Sequence, residues 1–177
     1  MVNIGIDAIL TQAEEIIEPV YKNLDSISLH NHSKVLHAFH KARVSEYHLK
    51  GSTGYGYGDA GRDAVEKVFS SVFKAEAALV RGQIASGTHA IALCLFGILR
   101  PGDELLVISG APYDTLQKVI GTAESSLGSL AEWGIGYREV ALLPDGNFDH
   151  ENIRLAIRDC TKIIMIQRSR GYEWRPA

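Results

Sequence analysis

Arg100-Pro101-Gly102-Asp103-Glu104-Leu105-Leu106-Val107-Ile108-Ser109 is the stretch that decides the fold class. Pro101 and Gly102 stop a helix, and the four consecutive apolar residues after Glu104 read as a strand covered on both faces. Upstream, Thr88–Leu99 reads as that helix, Ala77–Arg81 as a short buried strand, and Arg62–Phe73 as another helix. Downstream, Asp114–Ile120 reads as a helix closed by Gly121, Gly136–Leu142 as a strand, and Pro144-Asp145-Gly146-Asn147 as a turn. Asp149 caps a helix to about Arg158, and Lys162–Gln167 forms a last strand, with Ile163, Ile164, Met165 and Ile166 expected to be buried on both faces. Strands that are apolar throughout, each joined to the next by a helix, imply a mostly parallel sheet with flanking helices, so the class is α/β.

The first third differs. Apolar residues from Ile4 to Leu24 follow helical spacing, with Pro19 expected to kink or interrupt the run, and Leu29–Tyr47 reads as a second helix. Composition then shifts at Gly51-Ser-Thr-Gly-Tyr-Gly-Tyr-Gly58, too rich in glycine for helix or regular strand. The organisation is therefore an N-terminal helical arm, residues 1–50, and an α/β domain, residues 51–177. The 177 residues suffice for a sizeable core, and 46% apolar with 22% charged residues excludes wholesale disorder. A net charge of -3 gives no electrostatic case for nucleic acid. No apolar run reaches the roughly 18 residues of a membrane span, and the start lacks the basic n-region of a signal peptide. Cys94 and Cys160 sit in apolar runs and read as buried thiols of a cytoplasmic protein.

Several constellations could carry chemistry. Gly56-x-Gly58-x-x-Gly61 has dinucleotide-fingerprint spacing but no strand pattern before it, which that site requires. Tyr55, Tyr57 and Arg62 beside these glycines suit a planar anionic ligand or a subunit contact, against the plainer reading of a flexible connector. Ser86-Gly87-Thr88 follows the expected Ala77–Arg81 strand and opens a helix. Free N–H groups, the helix dipole and two hydroxyls make it a phosphate site, or Ser86 simply caps the helix. Tyr113 lies past the Glu104–Ser109 strand, at the carboxyl end of the sheet where α/β proteins place ligands, or is a tyrosine of no special role. Arg168, Arg170 and Arg175 could clamp a carboxylate or form a solvated basic edge. His30, His32, His37 and His40 crowd one segment, but no carboxylate or cysteine completes a metal set, and no metal is expected.

The runs Gly54-Tyr-Gly-Tyr-Gly-Asp59, Ala78-Leu-Val-Arg-Gly-Gln83, Ser86-Gly-Thr-His-Ala-Ile91, Leu99-Arg-Pro-Gly-Asp-Glu-Leu105, Pro112-Tyr-Asp-Thr115 and Ile166-Gln-Arg-Ser-Arg-Gly-Tyr172 occur together and in order. They resemble the methionine gamma-lyase-like, or aluminium-resistance, family of Cys/Met-metabolism enzymes. The resemblance implies pyridoxal 5'-phosphate as cofactor and the large-domain portion of the aspartate-aminotransferase-like fold (fold type I), with residues 51–177 an incomplete cofactor-binding domain. It implies that Ser86, Gly87 and Thr88 hold the cofactor phosphate and that Tyr113 covers the ring and acts as a catalytic acid. Tyr55, Tyr57 and Arg62 would reach a neighbouring subunit's cofactor phosphate, in a dimer or tetramer. Arg168 and Arg170 fall where the family lines the cofactor's far side, and the carboxylate of a small amino-acid substrate is expected to bind them there. This chemistry also needs a Schiff-base lysine and an aspartate on the ring nitrogen. In the family both follow the Gln-Arg-Ser-Arg-Gly-Tyr motif, and no lysine here sits in a matching context. The chain is thus expected to be the N-terminal part of a carbon–sulfur lyase acting on sulfur amino acids, inactive alone. The alternative is a non-catalytic module that binds pyridoxal phosphate or another phosphate ester.

Overall fold

The computed structural model describes residues 5–51, 57–122 and 127–168. The chain divides into two compact units, Met1–Gly82 and Gln83–Ala177.

The first unit contains α1 (Ile6–Lys41), α2 (Glu46–Leu49) and α3 (Ala60–Phe73). α1 is one continuous helix of 36 residues, where the sequence suggested two. Pro19 sits inside it without ending it. The segment is solvent-exposed, so the carbonyl that proline leaves unpaired is open to water. Asp25-Ser-Ile-Ser28, where a gap was expected, holds neither glycine nor proline to break the run. The helix ends in a Schellman pattern: Arg43 adopts φ 52°, its N–H donates to His40 O at 3.0 Å, and the Val44 N–H donates to Phe39 O at 3.1 Å. α3 begins on Asp59, whose carboxylate accepts the Arg62 N–H at 3.2 Å. It packs against α1, and Ala38 of α1 and Ala64 and Val68 of α3 are buried.

The expected strand at Ala77–Arg81 is not a strand. Among the described residues no neighbour pairs with it, and an extended run becomes a strand only by sharing its backbone bonds. A side chain does that job instead. The Glu66 carboxylate accepts the Val80 N–H at 3.1 Å and a hydrogen bond from the Arg81 guanidinium, pinning the run to α3. The Val80 bond, reinforced by Arg81, holds the Glu66 carboxyl below its ordinary range.

The second unit contains α4 (Gly87–Ile98), β1 (Glu104–Val107), α5 (Asp114–Ile120), β2 (Gly136–Glu139), α6 (His150–Ala156) and β3 (Thr161–Met165). The three strands form a parallel sheet in the order β2-β1-β3. Glu104 faces Gly136 and Val107 faces Glu139 on one side, while Leu105 faces Ile163 and Val107 faces Met165 on the other. β1 is the central strand and is fully buried, as its apolar run demands. One face of the sheet packs Leu105 and Val107 against Leu95, Leu116, Ile120 and Leu130, and the other packs Leu106 and Ile108 near Phe148 and Ile153.

Two expectations about burial fail. β3 alternates instead of being covered on both faces, and Ile164 and Ile166 are 47% and 48% exposed. Among the described residues β3 pairs with β1 alone, and Ile163 and Met165 turn one face of it to the core while the other face stays open. Cys94 and Cys160 are both exposed free thiols, not buried ones. Cys94 falls on the face of α4 turned away from Leu95 and Leu99, and Cys160 lies in the turn before β3.

Polar groups bind the amino ends of the three strands. Glu104 is 5% exposed. It accepts from Arg138 Nε and Nη2, each at 2.8 Å, and from Thr161 Oγ1 at 2.7 Å. Arg138 also donates to the Ala156 carbonyl. The Arg138 bonds, aided by Thr161, push the Glu104 carboxyl below its ordinary range, and Glu104 in turn raises Arg138. This network is structural and lies at the end of the sheet opposite the hydroxyl cluster described next.

Candidate functional site

α4 starts abruptly because Ser86 is extended and its hydroxyl oxygen accepts the His89 N–H at 3.1 Å. His89 reaches back in turn, its Nδ1 accepting the Ala85 N–H at 3.3 Å. The Ala90 N–H goes to Ser86 O. Among the described residues, the N–H groups of Gly87 and Thr88 find no acceptor and point out of the helix end. A Cβ added at Gly87 would meet nothing within 4 Å, so the space before this turn is open.

Hydroxyls gather beside it. Thr88 Oγ1 lies 2.9 Å from the Tyr113 hydroxyl and 3.3 Å from Thr115 Oγ1. Tyr113 is the N-cap residue of α5 and packs half-buried against the core formed by α4 and β1. Its N–H donates to Gln167 Oε1 at 3.1 Å, and the Gln167 N–H donates to Ser109 Oγ at 2.9 Å. Two backbone donors at the positive end of a helix, with neutral hydroxyls around them and room in front, fit a phosphate monoester.

The structure brings Ser86, Gly87, Thr88 and Tyr113 together. Tyr57 and Arg62 belong to the first unit. Tyr57 is 94% exposed, and Arg62 Nε sits 3.2 Å from Asp59 Oδ2. Arg168 follows β3 and is exposed. Tyr55, Arg170 and Arg175 lie outside the described residues. His30, His32, His37 and His40 are exposed along α1, and no group of three or more His, Cys, Asp or Glu among the described residues could hold a metal. The short helix α2 precedes the glycine segment where a dinucleotide site needs a strand. Thr115, Ser109 and Gln167 were not foreseen. Ser109 and Gln167 follow adjacent parallel strands, and the strand order brings them together.

The sequence model of the methionine gamma-lyase family matches residues 6–177. The chain belongs to the methionine gamma-lyase family. Its curated relative YnbB of Bacillus subtilis (strain 168), an uncharacterized protein, is 48% identical over 94% of this chain and 40% of its own length. Among solved structures, a Listeria innocua protein proposed to be a cystathionine beta-lyase involved in aluminum resistance is 52% identical with a TM-score of 0.93, covering 98% of this chain and 43% of its own. A carbon–sulfur lyase involved in aluminum resistance from Clostridium novyi NT is 46% identical with a TM-score of 0.86, covering 90% and 39%. This methionine gamma-lyase family chain thus spans about two-fifths of the length of these relatives. Among the described residues, no helix is long and apolar enough to cross a membrane.

Proposed function

We propose that this chain supplies the phosphate cradle and ring cover of a pyridoxal-phosphate-dependent carbon–sulfur lyase acting on sulfur amino acids. Its α/β unit would then belong to the large domain of the aspartate-aminotransferase-like fold. The observation that carries this reading is the open N-terminus of α4 beside the Ser86, Thr88 and Tyr113 hydroxyls, in a chain of this family. When bound, pyridoxal 5'-phosphate supplies the electron sink for breaking bonds at the substrate's α carbon. The chain's own residues bind and orient. The Gly87 and Thr88 N–H groups and the Ser86 hydroxyl donate to phosphate oxygens, and the helix dipole adds to their charge complementarity. Ser86 can do this while capping α4, because its oxygen accepts from His89 and its proton stays available. Tyr113, held by Thr88, covers the ring position and offers its phenol as a proton donor to the leaving sulfur.

We assign the substrate carboxylate to Arg168 and Arg170, and contact with a neighbouring subunit's cofactor phosphate to Tyr55, Tyr57 and Arg62. The enzyme is then cytoplasmic and self-associating. The lysine that attaches the cofactor is placed outside residues 1–177. Purified chain incubated with pyridoxal phosphate and L-cystathionine is expected to retain the cofactor yet release neither thiol nor keto acid. Release that persists through repurification overturns the assignment of the lysine. Failure to retain any cofactor overturns the cradle.

A further inference from the structure

We infer that Gln167 is a positioning residue for this site, fixing where the Tyr113 ring stands relative to the Ser86–Thr88 turn. The inference rests on the reading that the turn holds the cofactor phosphate. Tyr113 precedes the first turn of α5, so its N–H has no carbonyl within its own helix. Pro112, just before it, has no N–H at all. The segment leaving β1 is bonded on both sides up to Gly110, with the Ile108 N–H on Met165 O at 3.0 Å and the Gly110 N–H on Val140 O at 2.9 Å. Past that point, among the described residues, the Gln167 side chain ties the backbone of Tyr113 to the sheet.

Gln167 is itself fixed. Its N–H donates to the hydroxyl of Ser109, which is 3% exposed. A continuous set of bonds therefore runs from Ser109 through Gln167 to the Tyr113 backbone. From the Tyr113 hydroxyl it continues to Thr88 at the helix end. Tyr113 is held at both ends, through its backbone by Gln167 just past β3 and through its phenol by Thr88 of α4. Releasing the backbone end lets the ring drift while the phosphate donors of the turn stay in place. A ligand with a ring then loses more than a ligand without one.

The test compares pyridoxal 5'-phosphate with inorganic phosphate by equilibrium dialysis on the full 177-residue chain. Gln167→Leu keeps the bulk but removes the acceptor, and is expected to weaken pyridoxal phosphate about tenfold and phosphate less than about twofold. Gln167→Glu can still accept the Tyr113 N–H and is expected to restore binding to within about threefold of wild type. Combined with Tyr113→Ala, Gln167→Leu should add almost nothing, because both act through one ring. Ser109→Ala, which loosens Gln167 without touching its side chain, is expected to cost pyridoxal phosphate about threefold, and serves if Gln167→Leu does not fold. Equal losses for both ligands, additive effects or unchanged binding overturn the positioning role while leaving the cradle standing. A wild-type chain that binds neither ligand overturns both.

Discussion

Glu104 joins all three strands of the sheet through side-chain hydrogen bonds. It is buried, it takes both prongs of Arg138, and it meets Thr161 on the opposite neighbouring strand. Its carboxyl is held below the ordinary value of 4.5, so the folded chain binds fewer protons there than the unfolded chain. The resulting stability is complete above about pH 4.5 and is lost as pH falls through the lowered folded value. Glu104→Gln is expected to cost about 2 kcal/mol near neutrality and to flatten the acid limb of the stability curve, both read from urea unfolding at a series of pH values. An acid limb as steep as wild type would assign the effect to other carboxylates. At this scale the sequence was partly legible. Ser86, Gly87, Thr88 and Tyr113 carry recognisable turn and strand-end chemistry. Gln167 and Glu104 do not, because their partners lie 54 and 34 residues away and the pairing appears only in the folded sheet.

The elements show where local signals win and where they lose. Gly121 closes α5 with φ 94°, and a Cβ there would meet Ser129 Oγ at 2.5 Å and Ala131 Cβ at 2.8 Å. Gly121→Ala is therefore expected to destabilise by about 2–3 kcal/mol, from the left-handed backbone and the collision together. Lys74 ends α3 in the same left-handed region, at φ 53°, with an exposed side chain. Lys74→Gly should stabilise by about 1 kcal/mol, and opposite shifts in melting temperature for the two variants check the pair. The helix after Ser86, the stop at Pro101-Gly102 and the α5–Gly121 junction were readable because capping and turn residues act locally. The Ala77–Arg81 run was not. Its apolar content suits a strand, but strand formation depends on a neighbour, and the Glu66 carboxylate supplied the bond instead. The exposed outer residues of β3 misled for the same reason, since what covers a strand is not written in the strand.

The whole chain joins a helical first unit to a three-stranded parallel sheet whose carboxyl end carries the hydroxyl cluster. The α/β class and the parallel sheet were legible from the alternation of helices with apolar runs. The continuity of α1 was hidden by Pro19, which sits inside the helix on a segment where water can reach the freed carbonyl. Family membership supports the proposed reading, in which the open helix end at Gly87 receives a phosphate. The central claim is that Ser86, Gly87 and Thr88 recognise the cofactor by its phosphate. The most direct measurement is the affinity of the chain for pyridoxal 5'-phosphate against pyridoxal, which lacks the phosphate, in wild type and in the Ser86→Ala/Thr88→Val double variant. We expect wild type to favour the phosphorylated form at least about tenfold and the double variant to lose most of that preference. Equal affinity for the two compounds in wild type, or a preference untouched by the double substitution, would contradict the account.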